Sequence, residues 1–424
     1  MGQFRRRAAI AAIALVGAFA ARAVAQVPDA SLPGADALFD DTVLHEIRLS
    51  INSRDWEALR ANPLEDTYYP ADLRWRDEVV RNIGIRSRGT GSRSGLKPGL
   101  RVDFDRYATG QKFRGTLKSV VLRNNTQDAS GLHERISMLF FRRMGVSAPR
   151  EAHTRLYVNN EYFGLYTIVE SVDKAFLNRV NGEDGGYLYK YDYNLGDKPW
   201  YFEDRGSDPA LYVPSPFKPE THEFDPRPEK IAELVAIVRD GGANFRSTIE
   251  PILDPEQFIR HIAIEIFLAD KDGFNGDVGM NNFYLYRFEN KEMFQFIPWD
   301  KSETFKDGPG YSIWRNIEVA SWLQNRLTGR LLRYDDLRTR FLDILTDCAR
   351  SLSEIDPAAA GDTRNWMERE IDREYQQTQA WAALSEPDAQ TFSRAAFEQD
   401  VESLKTFARQ RSEIVLAEVA RSRR

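Results

Sequence analysis

The sequence predicts an α+β protein of two lobes, and three features predict it. Short β-like runs broken by turn residues fill residues 44–173, with one helix among them. Helical spacing dominates from residue 229 onward, around a single hairpin at 281–298. A Pro- and Asp-rich stretch, 196–228, separates the two textures. Strands first and helices later, without regular β–α alternation, is the α+β pattern. With 424 residues, 42% hydrophobic and 29% charged, the chain suits one bilobal core or two domains and is too apolar for disorder.

The elements follow in order. Residues 1–25 carry Arg5, Arg6 and Arg7, an apolar run at 8–21, and Ala23-Val24-Ala25. That is the layout of a secretory signal peptide. An uncleaved anchor is the rival reading, but the run falls short of the roughly 20 residues a span needs. The arginine cluster leaves twin-arginine export open beside the general route. Cleavage would remove four arginines and no acids, moving the net charge from −6 to −10. The expected product is exported, to the periplasm or the cell surface, with no stable membrane span. Its acidic balance argues against nucleic acid as a partner. Residues 26–43 read as a linker.

Within 44–173, residues 45–51 alternate polar and apolar as a half-buried strand does. Residues 79–85, 100–104, 119–122, 154–158 and 164–169 continue the series, with Asn159-Asn160 as a tight hairpin turn. The helix opens near Asp128 or Ser130, carries Leu132, Ile136, Leu139 and Phe140 on one face, and ends at Gly145. Residues 174–228 form a hinge and irregular insertion. Residues 231–239 and 255–269 are helical by spacing, inside a segment 229–330 that also holds the hairpin, and 331–424 is a helical remainder.

The chemistry concentrates between Asp270 and Asp300. An apolar helix runs into a Gly/Asp/Asn loop bearing Asp272 and Asp277. Asn281-Asn282 then opens an aromatic strand, and Pro298-Trp299-Asp300 closes the hairpin. Hairpin ends meet, so Asn281, Asn282 and Asp300 can face the loop that holds Asp272. Carboxylates with carboxamides are hard oxygen donors suited to Mg²⁺ or Mn²⁺. Such loops also serve as plain turns and caps. One cysteine, Cys348, and five scattered histidines exclude a disulfide framework and the common zinc motifs.

The string resembles the spore-coat CotH kinase family, an atypical secreted protein-kinase-like fold. The resemblance is carried by Asp272, by Asn281-Asn282 with Phe283-Tyr284-Leu285-Tyr286, and by Pro298-Trp299-Asp300. Gly84-Ile85-Arg86-Ser87-Arg88-Gly89, Lys97-Pro98-Gly99-Leu100-Arg101, Leu132-His133-Glu134-Arg135, and Tyr162-Phe163-Gly164-Leu165-Tyr166 with Val169-Glu170 extend it toward the N-terminus. It implies a bilobal kinase-like architecture: a strand-rich N-lobe at 44–173 with one main helix, and a mostly helical C-lobe containing the hairpin.

The implied activity is transfer of the ATP γ-phosphate to Ser or Thr of surface or envelope proteins. Asp272 looks like the base, with Asn281, Asn282 and Asp300 as ligands of Mg²⁺ or Mn²⁺ bridging the nucleotide phosphates. Lys97 and Arg101, placed on one strand face by alternation, are candidates for the phosphate-gripping cation. Glu134 would orient that cation, and Glu170, at the hinge, would lie near adenine. The turn 89–95 could cover phosphates with backbone N–H groups, and Arg86 and Arg88 read as structural pairs. Many relatives carry an acid where Ser302 stands, so Glu303 would have to supply any second metal site. Two other readings stay open: a kinase fold kept as a surface binding or scaffold protein, and transfer of AMP or ligation on the same fold.

Overall fold

In a computed structural model, the described residues are 34–192, 199–320, 323–358, 361–385 and 392–424. The proposed signal peptide lies outside them. Up to residue 191 the elements are β1 (His45–Ile51), α1 (Ser53–Ala61), β2 (Tyr69–Trp75), β3 (Glu78–Ser87), β4 (Leu100–Asp103), β5 (Ser119–Arg123), α2 (His133–Arg143), β6 (Glu151–Val158), β7 (Glu161–Glu170), α3 (Lys174–Asn181) and β8 (Tyr187–Tyr191). Then come β9 (Phe217–Pro219), α4 (Pro228–Asp240), α5 (Phe245–Ile249), α6 (Pro255–Phe267), β10 (Phe283–Arg287), β11 (Phe294–Pro298), α7 (Arg326–Leu331), α8 (Asp335–Leu352), α9 (Trp366–Ala383) and α10 (Arg394–Ser422).

Seven strands close into a barrel in the order β1-β2-β3-β4-β5-β7-β6, with β1 and β6 the one parallel pair. Alternation sends Ile47, Leu49, Leu73, Ile85, Val102 and Leu156 inside, where they bury together. The β6–β7 turn uses Asn159 and Asn160 at φ 50° and 70°, the left-handed pair that a two-residue hairpin requires. The sequence reading missed β2, whose Pro70 interrupts an otherwise clear alternation of buried Ala71, Leu73 and Trp75.

A second sheet, in the order β11-β10-β8-β9, sits against the helices. Helices α6, α8 and α10 pack on one another around Ile262, Ile266, Phe341, Leu345 and Val415. Helix α2 joins this core and not the barrel interior; Phe140 stacks on Phe267 at 5.4 Å between centroids. A smaller cluster, including Val121, Val169, Ile297 and Trp299, ties the barrel to the hairpin. The architecture is therefore α+β, as expected.

The described parts of two segments read as linkers are built into the fold. Leu38 and Phe39 are buried, and Asp36 pairs with Arg150 at 2.7 Å. In the insertion, Trp200, Phe202, Tyr212 and Phe217 are buried, and β9 pairs with β8. Among the described residues, no helix is long and apolar enough to cross a membrane.

Candidate active site in the cleft between barrel and hairpin

A cleft of about 360 Å³ separates the outer face of β3–β5 from the hairpin and the loop before it. Its barrel wall is cationic by strand geometry. Since Ile85, Leu100 and Val102 point inward, Arg86, Arg88 and Arg101 point outward, and the register sets Arg86 directly opposite Arg101. Like charges opposed across a ladder are destabilising unless something compensates them. Asp66 compensates part of the charge, binding Arg86 at 2.7 Å and Arg93 at 2.5 Å. Arg101 donates to Ser119 Oγ at 3.3 Å. Arg88 has no carboxylate within ion-pair distance among the described residues and lies 5.7 Å from the Trp299 ring. Burial, with repulsion from Arg123, brings its pKa down to about 10. The turn residues 89–93 also line the cleft.

The opposite wall is set by α6, whose buried last turn delivers the chain into a charged foundation. Lys301 Nζ, fully buried, lies 2.6 Å from Glu265 Oε1 and 2.8 Å from Asp270 Oδ2, and it donates to the Asn282 carbonyl at 3.3 Å. The backbone N–H of Asp272 donates to Asp270 Oδ1 at 3.0 Å. Asp272 is then gripped from the other side. Asn281 Nδ2 donates to its Oδ1 at 3.0 Å, and Asn282 Nδ2 to its Oδ2 at 2.8 Å. Burial raises the Asp272 carboxyl above its ordinary value, against the pull of the Asn281 bond. Gly279 (φ +91°) lets this loop approach Trp200, whose backbone N would stand 2.8 Å from an added Cβ. From behind, the buried Arg411 of α10 donates to the carbonyls of Ile266, Phe267, Pro309 and Tyr311.

Asp300 stands at the other end of the hairpin, whose base is closed by Trp299 N–H donating to the Asn282 carbonyl at 3.1 Å. Asn282 and Asp300 both hold left-handed backbone, φ 57° and 50°. Non-glycine residues in that region cluster at functional sites, where the surroundings enforce the strain. Arg123 Nη1 binds Asp300 Oδ1 at 2.6 Å, and Ser302 Oγ donates to the same oxygen at 3.2 Å. Burial alone would raise the Asp300 carboxyl; Arg123 and Arg88 outweigh it and hold it below the carboxylate range. Arg123 Nε also pairs with Glu134 of α2. Burial pushes Glu134 well above its ordinary pKa despite that arginine.

The structure thus brings together Asp272, Asn281, Asn282, Asp300, Arg101 and the 89–93 turn. It corrects other placements. Lys97 is not on the face of Arg101: Pro98-Gly99 interrupts the run, and β4 begins only at Leu100. Its ammonium lies 5.2 Å from the Tyr166 ring, outside the cleft, and burial lowers its pKa to about 8. The cation beside Glu134 is Arg123 instead. Glu170 does not reach the cleft either; Arg150 and Arg179 hold its buried carboxylate at 2.9 and 2.6 Å. Ser171 and Val172 line the cleft at that point. Among the described residues Arg88 has no carboxylate partner where a structural pair was expected, whereas Arg86 has Asp66. Glu303 is engaged by Lys306 at 2.5 Å and Lys271 at 3.5 Å. Asp277 is held by Arg315 and Asn316. Sequence reasoning missed Arg123 and Lys301, although a lone charge at the end of an apolar strand and one beside Trp-Asp were both visible.

A hard divalent cation fits the donor set. Asp300 Oδ2 has no hydrogen-bond partner among the described residues, and both asparagines turn their N–H₂ groups to Asp272, leaving carboxamide oxygens for another partner. One or two carboxylates completed by amide, water and phosphate oxygens is a Mg²⁺-type set. Among the described residues, a group of His and Asp side chains close enough to share an ion lies elsewhere: Asp128, His133 and Asp400. Its atoms are already bonded, Asp128 to the His133 and Gly131 N–H groups and His133 to Asp400 and the Thr304 carbonyl.

Comparisons with known proteins agree with the sequence resemblance. Inner spore coat protein H of Bacillus subtilis (strain 168) is 25% identical over 313 residues, covering 73% of this chain and 82% of that protein. The crystal structure of the Helicobacter pylori proinflammatory kinase CtkA aligns over 74% of this chain and 94% of its own, at 9% identity and a TM-score of 0.30. A likeness that faint carries no argument. The description "CotH kinase protein" belongs to a family model that matches residues 85–415. That span takes in both walls of the cleft and the helices behind them, and the chain belongs to the CotH family.

Proposed function

We propose that the protein is an exported, metal-dependent kinase that transfers the γ-phosphoryl group of ATP to Ser or Thr of surface or envelope proteins. The observation that carries this reading is the opposition of charge across one cleft. Arg88 and Arg101 stand on one wall, and Asp272, Asn281, Asn282 and Asp300 on the other, with Arg123 paired to Asp300. Phosphoryl transfer asks a protein for positioning and charge neutralisation more than covalent chemistry, and these walls supply both.

In this reading Arg88 and Arg101 hold the phosphate chain, with N–H groups of the 89–93 turn over it. Asp300 and the asparagine carboxamides would hold Mg²⁺ or Mn²⁺, which would neutralise charge on the phosphates. Arg123 fixes Asp300 and takes its own orientation from Glu134. Asp272 accepts the proton of the acceptor hydroxyl as that oxygen bonds to the γ-phosphorus and the bond to the β-phosphate oxygen breaks, leaving ADP. The bilobal kinase architecture belongs to the same proposal: barrel as N-lobe, helices and hairpin as C-lobe. Export is supported by the charged-then-apolar leader, and surface placement by the name of the spore coat relative.

The test uses γ-labelled and, separately, α-labelled ATP, with Mg²⁺ or Mn²⁺ and a generic protein acceptor. The expected result is label transfer from the γ position alone, lost in Asp300→Ala. Transfer from the α position would assign AMP transfer instead. Absence of nucleotide binding by calorimetry would leave a binding or scaffold protein.

A further inference from the structure

We propose that the barrel carries a second anion site, on its outer face at β2–β1–β6, which takes a phosphoryl dianion. A cavity of about 360 Å³ is lined there by Arg48, Arg74, Arg76 and Arg155, with Glu46, His45 and Trp75 among its walls. In the closed barrel β1 is three strands from β4 in one direction and four in the other, so this cavity lies across the barrel from the cleft. The site does not depend on what the cleft does.

The register explains the charge density. Arg48 is directly opposite Arg74 in the β1–β2 ladder, and Arg155 is opposite Glu46 in the β1–β6 ladder. Four guanidiniums therefore line the cavity with one carboxylate, Glu46, among its walls, and the Asp40 carboxylate feels Arg76 from beside it. Glu46 is shared, at 2.7 Å from Arg48 and 3.1 Å from Arg155. Arg74 and Arg76 have no carboxylate within ion-pair distance among the described residues, and both are exposed. An arginine pair opposed in a ladder costs stability that Glu46 offsets only at Arg48, and an anion between them removes the rest of that cost.

The site is also preorganised. Arg48 lies 4.1 Å from the Tyr157 ring, Arg76 4.2 Å from Trp75, and Arg155 4.1 Å from Trp381. Behind them, Trp75 Nε1 donates to His45 Nδ1 at 3.2 Å, which makes Nε2 the protonated nitrogen that donates to the Asp40 carbonyl at 3.0 Å. That fixes His45 as a neutral tautomer, so it adds no charge and the floor is rigid. Forked guanidiniums held by stacking match the oxygens of a phosphate or phosphoserine. The concave shape favours such a discrete group over a flat membrane surface.

The cavity and the cleft each have a tryptophan, Trp75 and Trp299, which serve as separate reporters among the eight in the chain. Full-length protein labelled at the indole nitrogen is titrated with inorganic phosphate, with a phosphoserine peptide and with its unphosphorylated form. The two resonances are assigned by Trp75→Phe and Trp299→Phe. The expected result is a saturable shift of the Trp75 signal, weakened about tenfold or more in Arg74→Ala/Arg76→Ala, the scale of a lost charged hydrogen bond. Lysine at both positions should recover part of it, while Arg88→Ala in the cleft should leave it in place. A shift with the peptide but not with free phosphate assigns a phosphoprotein ligand; a shift with both assigns the dianion itself. A Trp75 signal that stays still while Trp299 moves overturns the proposal. So does movement caused only by phosphatidylglycerol vesicles, or equally by the unphosphorylated peptide.

Discussion

Replacing Lys301 by Met removes the buried ammonium between Glu265 and Asp270 while keeping the side chain's length and apolar stem. Glu265 and Asp270, both essentially without solvent contact, then face each other across the space the ammonium filled. Removing one partner of a buried ion pair costs about 3–5 kcal/mol, because the remaining charge has neither water nor counter-ion. Here two carboxylates are stranded, left with His261, 3.1 Å from Glu265, and the backbone N–H groups of Phe274 and Asp272. A loss of about 4 kcal/mol is a quarter or more of the stability of an ordinary domain. Asp270→Asn should behave differently. It removes a charge that Glu265 can replace as the lysine's partner and retains an amide oxygen for Asp272 N–H, so about 1 kcal/mol is expected. Urea unfolding followed by tryptophan fluorescence measures both. The double variant Lys301→Met/Asp270→Asn should be more stable than Lys301→Met alone. The reasoning is refuted by a Lys301→Met midpoint equal to that of the parent, or by Asp270→Asn proving the more damaging change.

Two further predictions follow from the same geometry. Arg123→Met should weaken ATP binding about tenfold or more in calorimetry, since it releases Asp300 and leaves Glu134 buried without its cation; Glu134→Gln should weaken it less. His133→Gln tests the contact between α2 and α10 by melting temperature across pH. Burial alone would lower the His133 pKa, but Asp128 and Asp400 outweigh it and raise it. Its contribution is therefore complete below the unfolded histidine pKa, about 6.5, and fades as pH rises through the higher folded value. Asp400, brought down to about 2 mainly by His133 against its own burial, contributes above the unfolded aspartate pKa and fades as pH falls toward 2. The parent should exceed the variant most near pH 5–6, and the gap should close in alkali.

How much of this could be read beforehand depended on range in sequence. The strands with clean alternation and the long C-terminal helices were legible because period alone encodes them. The loop from Asp272 to Asp300 was legible because a hairpin brings its own ends together. Lys97 was misplaced because alternation was carried through Pro98-Gly99, where there is no strand. Glu170 was misplaced because nothing local announces Arg150 and Arg179 as its partners. Arg123 went unnoticed for the converse reason. It lies 177 residues from Asp300, and only closing the barrel against the hairpin makes them neighbours.

The clamp made by Arg411 has a consequence for how the protein comes into being. The carbonyls it ties belong to the end of α6 and to the segment after Asp300, yet the residue itself lies mid-way along α10, 100 residues or more further along the chain. A nascent chain thus has every cleft side chain translated well before the part that locks their backbone in place. A recombinant fragment stopped short of α10 would carry every cleft side chain and a loop without this clamp.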